Sequence, residues 1–231
     1  MNRSMLFWIC LTGCMAAALT QTGAATAQPP AAQAAAAQTA AASQAAAPQE
    51  PLKLRLEAGR SGESADERWE RIRTQMMAQT ALLRTGDALP AFVAERYDGG
   101  QTTAADCRGK VVLFCFWGTW CAPCLAELAP DKLPALAAPY ADRPDFLLLA
   151  AAQDDRAALD RFFAAESRAE YRWLRPSTLV DADKALFGCF ARRGVPRTVL
   201  VGRDGTIVEQ TVGNHPLELE RLRRALAAQF E

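Results

Sequence analysis

The sequence has no surplus of charge, almost no histidine, no second CxxC pair, no internal repeat and no apolar run long enough to cross a membrane comfortably. Twenty-six basic residues balance 26 acidic ones, and the pI is near 6.6. No positive field is left over to attract a phosphate backbone or an anionic lipid surface, which argues against nucleic acid as an obligate partner. The only histidine is His215, next to Pro216 at a helix start, where it reads as a solvated capping residue. With no paired histidines and no second CxxC, the ligand set of a structural zinc site is missing, and no metal is expected. Seven cysteines are many for a cytosolic chain and too few for a mini-domain built on disulfides. A length of 231 residues suits one ordinary domain with extensions.

Residues 1–27 read as an export signal. Arg3 supplies a positive start, residues 5–19 are mostly apolar, and Ala25-Thr26-Ala27 offers small residues before Gln28. A second reading of the same segment is a lipobox, Leu11-Thr12-Gly13-Cys14, in which Cys14 carries lipid and anchors the chain to a membrane. Against it, residues 15–19 stay apolar after the cysteine. Both readings put the mature protein outside the cytoplasm, in the periplasm or on the outer face of a bacterial envelope. Residues 28–51 are Ala, Gln, Pro, Thr and Ser with no bulky apolar face, so burial cannot offset their ordering entropy, and they read as a linker.

Residues 52–85 form an N-terminal helical extension. Ser64-Ala65-Asp66-Glu67 is a capping-box pattern, and Trp69, Ile72, Met76 and Leu83 then share one face of a helix over 64–84. That face suits packing on the main domain or, alternatively, a partner. From Gly86 the pattern turns α/β. Residues 111–117 and 145–152 are strand-length apolar runs, as in strands buried on both faces. Helices are expected at 124–128 (bent or broken by Pro130 and Pro134), 155–165, 183–190 and 216–230. Strands at 198–201 and 206–210 flank an Asp204-Gly205 turn.

The chemistry centres on Phe116-Trp117-Gly118-Thr119-Trp120-Cys121-Ala122-Pro123-Cys124, where a buried strand runs into a helix. The first turn of a helix presents unpaired N–H groups and the positive end of its dipole. A thiolate there ionises more readily than a free thiol of pKa about 8.5, so Cys121 is suited to attack a disulfide. Cys124, nearly one turn on and deeper, can close a disulfide with Cys121 and resolve a mixed disulfide. Pro123 stiffens the loop between them. A purely structural bridge at this spacing would close a very small loop and gain little chain entropy.

These residues resemble the active-site signature of the thioredoxin superfamily, and most of all its TlpA/ResA group, which is related to the peroxidatic redoxins. The likeness runs from about 86 to 230, the thioredoxin-like domain of an 86–231 unit. It includes Gly86-Asp87-Ala88-Leu89-Pro90-Ala91-Phe92, Gly109-Lys110 and Gly194-Val195-Pro196-Arg197-Thr198. The resemblance implies a central mixed β-sheet flanked by helices. It implies dithiol–disulfide exchange without a cofactor, with disulfides of exported proteins, apocytochromes c among them, as substrates. An upstream membrane thiol donor would supply electrons. It also implies a cis bond at Val195-Pro196 that turns the Val195 peptide toward the CxxC as a substrate platform shaped with Trp120 and Pro123. Glu127, one turn past Cys124, would manage the proton of the buried cysteine. Cys115 stands where thioredoxins carry a buried aspartate. It reads as a small buried apolar residue or as a third redox thiol, and the missing acid shifts weight to Glu127. Cys107 and Cys189 show no pattern, though they could pair with each other. Two rival functions remain open: a redoxin-type peroxidase, disfavoured by the Trp-Cys-Ala-Pro-Cys string, and a non-catalytic binding module of the same fold.

Overall fold

The computed structural model describes residues 62–231. The signal segment 1–27 with its lipobox at Cys14, the linker 28–51 and the start of the 52–85 extension lie outside the described residues.

The apolar run at 111–117 is strand β3 (Val111–Trp117), and every one of its residues is buried. It lies inside a sheet that also contains β1 (Val93–Arg96), β2 (Gln101–Thr103), β4 (Phe146–Ala152), β5 (Thr178–Val180), β6 (Arg197–Val201) and β7 (Ile207–Val212). The seven strands run in the order β2-β1-β5-β4-β3-β6-β7. β3 is parallel to β4 and antiparallel to β6, so the sheet is mixed. Side chains alternate across a strand, and β3 feeds two cores. Leu113, Cys115 and Trp117 join one, and Val112, Phe114 and Phe116 the other.

The first face is covered by α2 (Ala122–Glu127), α3 (Leu133–Ala137), α4 (Arg156–Ala164) and α6 (Pro216–Ala227), which contribute Leu125, Leu133, Leu159 and Leu222 among others. The second face packs on Phe92, Cys107 and the one-turn α5 (Phe187–Phe190). This is the helix-flanked mixed sheet that the sequence implies. Cys107 and Cys189 are both free thiols and do not pair.

The N-terminal helix α1 (Ala65–Thr80) starts on the expected capping box. The Ser64 hydroxyl accepts the Glu67 N–H at 3.2 Å, and the Glu67 carboxylate accepts the Ser64 N–H at 2.8 Å. Its apolar face packs on its own chain. Trp69 Nε1 donates to Glu218 at 3.1 Å, Arg73 pairs with Glu218 at 3.0 Å and with Glu209 at 3.3 Å, and Arg221 pairs with Glu70. His215 caps α6 through Nδ1, as expected, but it is half-buried rather than solvated, because the Trp69 ring stacks on it at 4.5 Å.

Three boundaries differ from the sequence reading by three residues or more. α1 ends at Thr80, four residues early, and Leu83 is not on it; Ala81 turns extended to pair with Ala191. The 183–190 helix shrinks to α5, because the Asp181 carboxylate takes the N–H groups of Leu186 and Phe187 and Lys184 adopts φ +60°. The terminal helix stops at Ala227. The β1–β2 hairpin and β5 are short and are set by their sheet neighbours, while the 3-10 turns over Glu166–Ser177 bury Tyr171 and Leu174 in the core.

Candidate active site

β3 ends at Trp117, and the chain turns through Gly118-Thr119-Trp120 into α2. Cys121 is the N-cap residue: its N–H reaches the Gly118 carbonyl at 3.0 Å, and its sulfur accepts the Cys124 N–H at 3.3 Å. Pro123 occupies the first turn of α2, where its missing N–H costs nothing. Cys121 and Cys124 are joined as a disulfide with Cα atoms 5.2 Å apart. Cys121 is 5% exposed and Cys124 fully buried, so the first sulfur is the one nearer solvent.

The turn is held from the neighbouring strand. The Asp154 carboxylate, just past β4, accepts the Thr119 N–H at 2.7 Å and the Thr119 hydroxyl at 2.8 Å, and the Gln153 N–H reaches the Trp117 carbonyl at 2.9 Å. Trp120 folds over Gly118 so closely that a Cβ there would lie 2.7 Å from the indole, which is why glycine is needed. The indole itself is 62% exposed beside the disulfide.

Glu127, Thr198 and Cys115 form a buried polar group. Glu127 is 2% exposed; its Oε1 accepts the Thr198 hydroxyl at 3.3 Å, and its Oε2 has no protein partner. Burial pushes its carboxyl up to about 8 against the opposing pull of the Thr198 hydrogen bond. Cys115 pairs with Thr198 across β3 and β6. Burial first, then the Glu127 charge, hold its thiol well above the ordinary range.

The Val195-Pro196 bond is cis. Val195 is half-buried and packs against both cores, while the Pro196 carbonyl accepts the Gly213 N–H at 2.9 Å. The structure thus gathers Cys121, Cys124, Pro123 and Trp120 on one turn and places Glu127 in the same helix. Asp154 and Thr198 are the residues that sequence reasoning missed as part of the site. The only sequence signal for them is position, one just past a buried strand and the other two residues after the proline. Among the described residues, no group of three His, Cys, Asp or Glu side chains could hold a metal. No helix of the described residues is long and apolar enough to cross a membrane.

Residues 84–226 match the Redoxin family model. The ResA thiol–disulfide oxidoreductase of Bacillus anthracis is 26% identical over 141 residues, covering 61% of this chain and 77% of that one. ResA of Halalkalibacterium halodurans is 24% identical over 140 residues, with 61% and 75% covered. Among solved structures, a Bacteroides thetaiotaomicron chain designated a protein disulfide isomerase superposes with TM-score 0.57 at 27% identity, covering 65% of this chain and 92% of that one. A Chlorobium tepidum chain designated a thiol:disulfide interchange protein DsbE gives TM-score 0.51 at 25% identity, with 64% and 99% covered.

Proposed function

This chain belongs to the redoxin family and is a thiol–disulfide oxidoreductase of thioredoxin fold, TlpA/ResA-like, and on that premise we propose that it reduces disulfides of exported proteins outside the cytoplasm through Cys121 and Cys124. The observation that carries this reading is the disulfide at a helix N-cap, with Cys121 slightly exposed and Cys124 fully buried. The export-signal reading of 1–27 supports the location; on the rival lipobox reading Cys14 would instead carry a lipid anchor with residues 28–51 as tether.

In the reduced protein the Cys121 thiolate attacks a substrate disulfide, forms a mixed disulfide and releases one substrate thiolate. Glu127 accepts the Cys124 proton in its ionised form, whose share grows as pH rises toward about 8, and the freed Cys124 sulfur attacks Cys121. That step closes the Cys121–Cys124 disulfide and releases the second substrate thiolate. Two electrons have passed to the substrate, and an upstream membrane thiol donor restores them. No cofactor is needed, since the two sulfurs hold both electrons. Trp120 and Pro123 border the attacked sulfur, and the Val195 peptide before Pro196 offers backbone groups to an extended substrate strand. Apocytochromes c fit as substrates, because their paired cysteines must be reduced.

The test is turnover of a peptide disulfide with dithiothreitol as donor, run beside hydrogen peroxide consumption. The reading predicts peptide turnover, its loss in Cys121→Ser, and a trapped mixed disulfide in Cys124→Ser. Peroxide turnover exceeding peptide turnover would favour the peroxidase reading instead. Activity that survives without Cys121 would overturn both.

A further inference from the structure

α1 precedes residue 84, where the family match begins, and besides its contacts with β7 and α6, its end and the residues just after it reach the loop that carries Val195 and Pro196. On one side of that loop, the Arg192 N–H reaches the Thr80 carbonyl at 2.8 Å and the Leu82 N–H reaches the Phe190 carbonyl at 2.9 Å. Ala81 and Ala191 form an antiparallel bridge there. On the other side, the Pro196 carbonyl is held by the Gly213 N–H, and the Trp69 ring lies against Gly213, 3.1 Å from where a Cβ would stand. The last turn of α1 and its first bulky residue therefore grip the loop at both ends.

Between the two grips sits Arg197, the residue after the proline, with 0% exposure. Its guanidinium donates to Thr80 Oγ1 at 2.6 Å, to Gln210 Oε1, to Met77 Sδ at 3.5 Å and to the Arg193 carbonyl at 3.5 Å. Gln210 in turn donates to the Leu83 carbonyl at 3.0 Å. All these acceptors are neutral, and Nε has none. Burial pulls the guanidinium down to about 10, which still leaves it charged at neutral pH. A buried cation without a carboxylate is costly. Such a group is retained where it fixes geometry, and here it joins α1, β7 and the start of β6 to the loop itself.

We infer that α1, through Thr80, Trp69 and the positioning residue Arg197, is a brace that holds the Val195-Pro196 loop in register to receive a substrate strand. The inference rests on the platform reading of that loop. It separates two properties of the enzyme: the brace governs how a peptide docks, whereas the sulfur chemistry on the other side of β3 is left alone. Arg197 pairs with Phe116, on the strand face opposite Cys115 and Trp117, so it lies on the far face from the disulfide.

The experiment measures steady-state reduction of a disulfide peptide by the full protein and its variants, with dithiobis(nitrobenzoate) as the small disulfide and the equilibrium potential as a third readout. Thr80→Val removes one acceptor and keeps the shape; Arg197→Met removes the cation. Each is expected to raise KM for the peptide by about fivefold or more, with kcat, the small-disulfide rate and the potential unchanged. Should Arg197→Met fail to fold, Thr80→Val carries the test. The same peptide, N-methylated on the backbone beside its cysteine, tests the platform on the wild-type protein. Discrimination against the N-methylated peptide with no KM change in Thr80→Val overturns the brace alone. No discrimination overturns the platform reading and the brace with it. A potential that moves together with KM also overturns the brace, since the effect would then run through the thiols.

Discussion

Glu127 carries one oxygen on the Thr198 hydroxyl and leaves the other without a protein partner inside the core. Burial raises its folded-state value to about 8 from an ordinary 4.5. Between those values the unfolded chain has lost the proton and the folded chain keeps it, so stability is greatest at the acid end and falls as pH rises through that window. Asp181, raised to about 7 by burial, contributes in the same direction over a lower window. Denaturant midpoints measured across this range should therefore fall with rising pH, and Glu127→Gln should remove part of the fall. The same substitution removes the proton acceptor for Cys124 and should slow turnover by at least ~10-fold. A Glu127→Gln protein with the wild-type stability profile and wild-type turnover would refute the role. At this scale the Cys121–Cys124 disulfide and the cis bond before Pro196 were legible, because they sit in short local motifs. Thr198 and Asp154 were not legible as site residues. Thr198 meets Glu127 only through the register that sets it opposite Cys115, and Asp154 meets Thr119 only because β3 and β4 end side by side.

The docking of α1 depends on one buried carboxylate. Glu218, 1% exposed in the first turn of α6, accepts from Trp69 Nε1, from Arg73 and from the Val212 N–H at 3.0 Å. Glu218→Ala would leave Trp69 Nε1 and the Val212 N–H without this acceptor and Arg73 with only Glu209 and the Gln210 carbonyl. A loss of about 3 kcal/mol is expected, at the low end for breaking a buried pair because Arg73 keeps Glu209. Urea unfolding checks it: an unchanged midpoint would mean that the other ties of α1, Arg73–Glu209, Arg221–Glu70 and Arg197–Thr80, hold it without Glu218. The sequence announced α1 through its capping box and its Trp69-Ile72-Met76 face, but not where it stops. Its end is set by pairing of Ala81 with Ala191, more than a hundred residues away in the chain, and no local pattern encodes that. The β1–β2 hairpin escaped notice for a related reason. Its strands are short, and their identity comes from pairing with β5.

Across the whole molecule, the two faces of the sheet divide the work. One face carries the disulfide, Glu127 and Cys115; the other carries the aromatic cluster of Phe92, Phe114, Phe116 and Phe190 and, at its edge, Arg197. Only Trp120 and Leu82 are large apolar side chains exposed among the described residues, and Trp120 lies beside the disulfide. The α/β order was legible because β3 and β4 are continuous apolar runs, which only a sheet covered on both faces can hide. The central claim is that Cys121 and Cys124 form a reversible two-electron couple poised for reduction. Equilibrium titration of the full protein against dithiothreitol and glutathione buffers, with Cys121→Ser as control, tests it most directly. The account predicts one reversible two-electron transition at or below roughly −270 mV, absent from the control. A couple near about −120 mV would contradict the reductive direction, and no couple at all would contradict the oxidoreductase itself.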